Sequence, residues 1–403
     1  MLISNTKKVF IVGYARTPIG ALCGSLSQIP AHKLAATAIL KAIERSQVEK
    51  ECIDCVILGQ SFSSGCGPLP LQKVLVSTGI NINAKTYSLN NLCCSGIDSV
   101  TLGTDLIRSG DKDVCIVGGI ESMSQSSFFL KKLRTENYSI GNNILNDSII
   151  SDGYNYISNN KELIKNNNLD LFCKKYKIPR VDLDSYVIQS FKRTADAYNK
   201  NLIQQEIFPL IINKKKQTKK QSNLDSNKII IEKDELFEKI NIDNICNLSS
   251  DSIITNYNIS PFGDGACIII LMSENKMNEL NVNPIAEIIA HENASVYPED
   301  APLSTSYAIM KVLKKINKSS VDYYEINETT ALDVVFNVNN LSLDITNVNL
   351  NGGSLAIGHP TAVSGARIIT SLISVLKNYD MNFGCAAINS YLGSSTSIVV
   401  ENV

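Results

Sequence analysis

Apolar residues along this chain fall into short runs, and between them lie stretches whose apolar positions recur at helical spacing. Lys8–Val12, Cys55–Leu58 and Val114–Val117 carry short runs and predict strands, while His32–Ile43 predicts a helix. Strands alternating with helices over residues 1–124 predict a mostly parallel sheet covered on both faces. From 125 to 246 the texture changes and the chain becomes rich in Asn and Lys. Asn142–Asp147 and Asn159–Asn168 read as polar surface loops, and the basic run Lys214–Lys220 reads as a solvated loop. Between these runs Leu169–Tyr176 and Asp182–Tyr198 predict helices, the second from Leu183, Val187, Ile188 and Phe191. The zone predicts an inserted helix-and-loop lid. The first texture then returns. Ala266–Leu271 and Ile285–Ile289 predict buried strands, Thr305–Lys315, Thr330–Leu341 and Gly365–Leu376 helices, and Ala386–Ile388 opens a last strand. A shared rhythm without a visible repeat predicts a duplicated fold. Its N-terminal half is 1–124 plus about 247–275, and its C-terminal half is 276–403, with 125–246 inserted.

Composition narrows the function classes. The 403 residues hold 38 Lys+Arg against 39 Asp+Glu, a net charge of −1, which leaves no electrostatic footprint for nucleic acid. The longest apolar runs, such as Cys267–Met272, fall far short of the ~18 residues that cross a bilayer, so no membrane role is expected. Eleven cysteines, an odd number without regular spacing, do not read as a disulfide framework. With no apolar signal core before Val9 and no peroxisomal address in Glu401-Asn402-Val403, the cytoplasm is the expected compartment. Cys52 and Cys55 stand at CxxC spacing without a second pair, so no metal is expected.

Two clusters carry candidate chemistry. Asn90–Gly96 (NNLCCSG) leads into a stretch where Ile97, Val100, Thr104 and Ile107 share a helical face, ending at Arg108-Ser109-Gly110. Cys93 thus stands where a loop enters a buried helix. The positive end of that helix favours a thiolate, although taken alone the residue also fits a space-filling core cysteine. The second cluster, Asn349–Pro360 (NLNGGSLAIGHP), presents His359 among glycines just before a helix. His32, on an amphipathic helix, and His291, after a strand, lack that setting. A Cys–His pair is a common way to make a nucleophile at neutral pH.

These residues resemble the thiolases, specifically acetyl-CoA acetyltransferases and 3-ketoacyl-CoA thiolases, over nearly the whole chain. Ala15–Gly20 (ARTPIG) looks like the family's opening element, and Asn90–Gly96 like the segment carrying its acyl-accepting cysteine. Gly118–Ser124 (GGIESMS) is similar to its GGMESMS, and Asn258, Ser260 and Asp264–Ala266 to its N-x-S…DGA stretch. Asn327-Glu328 looks like half of its NEAF motif, and Gly352–Arg367 like its GGA-x-A-x-GHP…SGAR block. The resemblance implies a thiolase-like α/β fold, duplicated into five layers (α-β-α-β-α) with an inserted loop domain. It implies acyl transfer from CoA thioesters with no separate cofactor, in a homodimer or homotetramer. Carried over by register, Cys93 is the nucleophile, with Cys94 on a small-residue position beside it. His359 is the base, Asn327 holds an oxyanion-hole water, and Ser260 contacts substrate.

The pattern breaks at the C-terminus. The family's C-x-G-G-G-x-G, whose cysteine serves as second acid/base, is replaced by Gly384–Ser395 (GCAAINSYLGSS). Ungapped counting from His359 puts Asn389 at the cysteine and Tyr391 at the glycine whose N–H completes the second oxyanion hole; a two-residue gap would put Tyr391 at the cysteine. Thr329-Thr330 replace Ala-Phe, Ala362 replaces a glycine, and polar Glu162–Asn168 stands where the family's lid faces pantetheine. Three readings follow. One is an acetyl-CoA C-acetyltransferase with an altered second acid/base. Another is a degenerate member that binds CoA esters or partners, and the third is a half-active acyltransferase or thioesterase.

Overall fold

The computed structural model describes residues 7–132, 142–154, 166–213, 228–237 and 252–403. Lys214–Lys220 and residues 159–165, which hold most of Asn159–Asn168 and of Glu162–Asn168, lie outside what is described. The strands are β1 (Val9–Arg16), β2 (Gly20–Ala21), β3 (Cys55–Gly59), β4 (Lys85–Leu89), β5 (Val114–Ser122), β6 (Phe128–Leu130) and β7 (Leu145–Asp147). They continue with β8 (Leu210–Asn213), β9 (Lys228–Ile231), β10 (Gly263–Ser273), β11 (Ala286–Ser295), β12 (Tyr323–Ile326), β13 (Phe383–Asn389) and β14 (Ser394–Asn402). The helices are α1 (Ala31–Ser46), α2 (Pro70–Thr78), α3 (Ser95–Ser109), α4 (Asn166–Lys175) and α5 (Arg180–Asn199). After them come α6 (Glu274–Leu280), α7 (Ala301–Lys315), α8 (Ala331–Asn340), α9 (Ser354–Ile357) and α10 (Ser364–Asn378). No described helix is long and apolar enough to cross a membrane.

The main strands run in the order β12-β13-β14-β11-β1-β10-β5-β3-β4, with β1 and β11 meeting only through Phe10↔Glu287 and Ile11↔Ala286. That narrow seam divides the strands into two sheets. Helices α3 and α10 pack between them, around Ile97, Val100, Ile369 and Leu372. Outside the first sheet lie α1 and α2, around Leu34, Ile39 and Leu75; outside the second lie α7 and α8, with α5 beyond them. Five layers result. Strands covered on both sides are the continuous apolar runs of the sequence, as in β10, where every residue is buried.

The sheet is not mostly parallel. Only β3–β4, β3–β5 and β12–β13 run parallel; β1–β10, β10–β5, β11–β14 and β13–β14 are antiparallel. One cause is local and one is long-range. The turn Ser390–Gly393 is too short to cross over, so β14 must return against β13. β10 arrives from the inserted zone and runs against both of its neighbours.

Candidate active site

The turn before α3 is built by its own polar side chains. Asn90 donates Nδ2–H to Ser61 O at 3.0 Å and accepts from Leu92 N at 3.2 Å, while Ser95 Oγ donates to Leu92 O at 2.6 Å. Leu92 takes a left-handed conformation (φ +48°) that swings Cys93 inward, where it is 2% exposed at the helix start. Two motif glycines let the opposing segment approach. A Cβ on Gly96 would lie 2.5 Å from Ala362 O, and one on Gly119 would lie 1.9 Å from the same atom. The CSG and GG motifs are therefore contacts against the loop that carries His359.

His359 stands with Nε2 3.1 Å from Cys93 Sγ and Nδ1 2.7 Å from Ser364 Oγ. Ser364 Oγ also reaches Pro360 O at 3.3 Å. With the serine proton on that carbonyl, the imidazole donates from Nδ1 and turns the Nε2 lone pair toward the thiol. Cys94 points elsewhere. Its thiol faces Ile388 O (3.5 Å) and Ser394 O (3.6 Å), and burial pushes its pKa well above the ordinary thiol range. His32 lies in the first turn of α1, and His291, placed after a strand by the sequence pattern, sits within β11 with Nε2 2.9 Å from Asp105.

Asn327 is buried and its amide is oriented from both ends. Oδ1 accepts from Arg367 Nη2 at 3.0 Å and Ser354 Oγ at 2.9 Å, and Nδ2 donates to Thr329 Oγ1 at 2.9 Å. Arg367 is itself held by Glu325 at 3.0 Å. Ser260 donates its hydroxyl to Glu328 O and its backbone N–H to Thr329 O at 3.0 Å, pinning this segment. A narrow cleft is lined by His359, Ser260, Thr329 and Tyr391, with Leu169 and Phe262 beside them. In the sequence Thr329 stands out only as a departure from a motif; its signal is a hydroxyl two residues after the amide it meets.

Asn389 is the last residue of β13 and is buried. It turns its amide into the start of α8, donating Nδ2–H to Asp333 Oδ1 at 2.8 Å and reaching Ala301 O at 3.4 Å. The other Asp333 oxygen accepts from Thr330 N at 2.8 Å and Thr330 Oγ1 at 2.9 Å, a capping box for α8. Burial pushes the Asp333 carboxyl up, against the pull of Asn389 and Thr330. Tyr391 is half-buried on the cleft wall, and burial, with the Asp333 charge, pushes its phenol well up. His359, Ser260 and Tyr391 thus share the cleft and Cys93 meets His359, while the Asn327 and Asn389 amides are committed to other partners.

Family models described as "Thiolase, N-terminal domain" and "Thiolase, C-terminal domain" match residues 9–275 and 282–402. The chain is 32% identical over 403 residues to Acetyl-CoA acetyltransferase A, mitochondrial, of Xenopus laevis, covering 98% of this chain and 92% of that one. It is 34% identical over 405 residues to the Acetyl-CoA acetyltransferase of Schizosaccharomyces pombe, covering 99% and 100%. Among solved structures, human mitochondrial 3-ketoacyl-CoA thiolase aligns with a TM-score of 0.90 at 26% identity, over 99% of this chain and 100% of that one. The Acat5 thiolase of Ascaris suum, solved in complex with coenzyme A, aligns with a TM-score of 0.88 at 25% identity, over 98% and 100%.

Proposed function

Because this chain belongs to the thiolase family, we propose that it is an acetyl-CoA C-acetyltransferase that interconverts two acetyl-CoA with acetoacetyl-CoA and CoA through an acyl thioester on Cys93. The observation that carries this reading is the 3.1 Å approach of His359 Nε2 to Cys93 Sγ inside a nearly sealed site. His359 takes the thiol proton. The thiolate then attacks the carbonyl carbon of acetyl-CoA, the bond to the CoA sulfur breaks, and the proton leaves with CoA. Condensation further requires a proton to leave the methyl carbon of a second acetyl-CoA. The group at position 389 is a non-titrating amide bound to Asp333, which favours a weakened second half and supports the half-active acyltransferase as the alternative reading.

The test is intact mass after incubation with acetyl-CoA, together with thiolysis of acetoacetyl-CoA. One acetyl group should map to the peptide containing Cys93 and vanish in Cys93→Ser, with thiolysis below the ~10 s⁻¹ typical of enzymes. Labelling on Cys94, or none in that segment, would overturn the assignment. We place the protein in the cytoplasm, a reducing compartment that suits ten described cysteines outside any disulfide. We further propose a homodimer or homotetramer. β4 ends the sheet order and, among the described strands, pairs with β3 alone, and exposed Val76 and Ile82 flank it.

A further inference from the structure

We propose that Asp98 is a positioning residue that sets Cys93 against His359 by tying the turn before α3 to the hairpin of β13 and β14. The proposal rests on the reading of Cys93 as acyl acceptor and adds a residue that acts on it through that turn. Asn91 closes the turn from both sides of its peptide. Its N–H donates to Ser95 Oγ at 2.8 Å, and its carbonyl accepts from Cys94 N at 3.1 Å. Cys93 lies between these bonds, so its backbone follows Asn91.

Asp98, in the first turn of α3, holds Asn91 in place. Its Oδ2 accepts from Asn91 Nδ2 at 2.7 Å, and its Oδ1 accepts from Thr396 Oγ1 at 2.6 Å. Thr396 is buried on β14 opposite Ile388 of β13, so one carboxylate joins the turn of the nucleophile to the C-terminal half. His359 belongs to that half as well. The 3.1 Å approach of its ring to the thiol is thus a contact between halves, and it depends on how they are seated.

Helix electrostatics alone do not account for this carboxylate. The positive end of α3 favours an acidic residue in its first turn, but a solvated one would serve equally well. Asp98 is instead partly buried, and burial pushes its carboxyl up against the pull of Thr396 and Asn91. Two short bonds to a charged acceptor offset that desolvation. With one oxygen on each of two segments that meet at the site, the side chain is a brace between them.

Asp98→Asn and Asp98→Ala separate the bonds from the charge, since an asparagine can accept from Asn91 and donate to Thr396 Oγ1. Single-turnover acylation of Cys93 is measured with acetyl-CoA and, independently of CoA binding, with p-nitrophenyl acetate, at a temperature where circular dichroism shows each variant folded. Asp98→Ala should slow acylation by ~10²-fold at unchanged KM, as expected for a misplaced nucleophile. Asp98→Asn should stay within a few-fold of the parent. A residue needed for stability alone would leave the rate of the folded protein untouched. Adding Asn91→Ala to Asp98→Ala should slow acylation no further, because both changes break the same brace. Parent-like acylation in Asp98→Ala, equal losses in the alanine and asparagine variants, or losses that multiply in the double variant overturn the proposal. If Asp98→Ala does not fold, Thr396→Val must itself slow acylation by about tenfold at unchanged KM, and a parent-like rate there overturns the proposal too. Failure of acetyl-CoA alone to acylate the parent protein would remove the proposed function while the ester still decides Asp98. If neither reagent acylates Cys93, both fall.

Discussion

Asn389 and Asp333 form a pair in which each side chain limits what the other can be. The carboxylate accepts an N–H at 2.8 Å from the position where the resembled family carries its second cysteine. A thiol placed there would lie beside a buried negative charge that opposes its ionisation. Asn389→Cys alone should therefore leave acetoacetyl-CoA thiolysis within about threefold of the parent, whereas Asn389→Cys with Asp333→Asn should raise it by ~10²-fold, as a restored acid/base does. Tyr391→Cys should gain nothing. Full recovery by Asn389→Cys alone would show that Asp333 exerts no such control, and recovery by Tyr391→Cys would show the register to be off by two. The sequence made Cys93 and His359 legible because both stand in glycine-bearing motifs at the start of apolar helices. Thr329 and Asp333 were not legible as partners of the site, because hydrogen-bond direction depends on groups that only the tertiary fold supplies. Asn327 receives Arg367 from α10 and Asn389 receives Asp333 from α8.

Elements buried on both faces read clearly from the chain, and elements defined by pairing did not. β10 and α10 are long and apolar and emerge close to where the pattern places them. β4 (KTYSL) is an edge strand with a mixed surface and carries no such signal. β14 opens on hydroxyls that are buried through hydrogen bonds, Ser395 Oγ to Ile388 O and Ser397 Oγ to Ala308 O, both at 2.8 Å. Strand direction was misread because it depends on which distant segment enters the sheet. The same long-range logic ties Tyr198, Glu206 and Asp234 to the end of β1. Arg16, ending β1, donates Nε–H to Glu206 at 3.0 Å and grips both oxygens of Asp234 at 2.8 and 3.0 Å, and Tyr198 OH joins Asp234 at 2.8 Å. Arg16, Glu206 and Asp234 are fully buried, so removing the guanidinium strands two carboxylates in the interior. Arg16→Met should cost about 3–5 kcal/mol in urea unfolding, and Arg16→Lys should recover little, since an ammonium cannot reproduce the fork. A loss below ~1 kcal/mol would mean that the cluster does not hold these segments together.

For the molecule as a whole, buried carboxyls set how stability changes with pH. Glu121 joins three segments by accepting from Ser61 N (3.0 Å), Phe62 N (3.2 Å) and Ala362 N (3.3 Å). Burial outweighs those donors and pushes its carboxyl from 4.5 up to about 7. Between those values the folded chain keeps a proton that the unfolded chain has released, so raising the pH favours unfolding. Once both states are ionised, the loss from Glu121 alone is about 3 kcal/mol. Burial also raises the carboxyls of Asp98, Asp264 and Asp333, which therefore act in the same direction. Opposing them are Asp105, where burial is outweighed by His291 together with Arg108 and Lys315, exposed Asp344, held down by Thr346, and His32, which burial lowers. All three lie nearer solvent, where such effects are screened. Stability from urea unfolding should thus be greater near pH 5 than near pH 8. Glu121→Gln removes the ionisation while keeping an acceptor oxygen, and should flatten the decline between pH 5 and 7 even if it lowers stability at pH 5. A protein more stable at pH 8 than at pH 5, or an unchanged slope in Glu121→Gln, would mean that the three backbone donors outweigh burial and that Glu121 is ionised throughout that range.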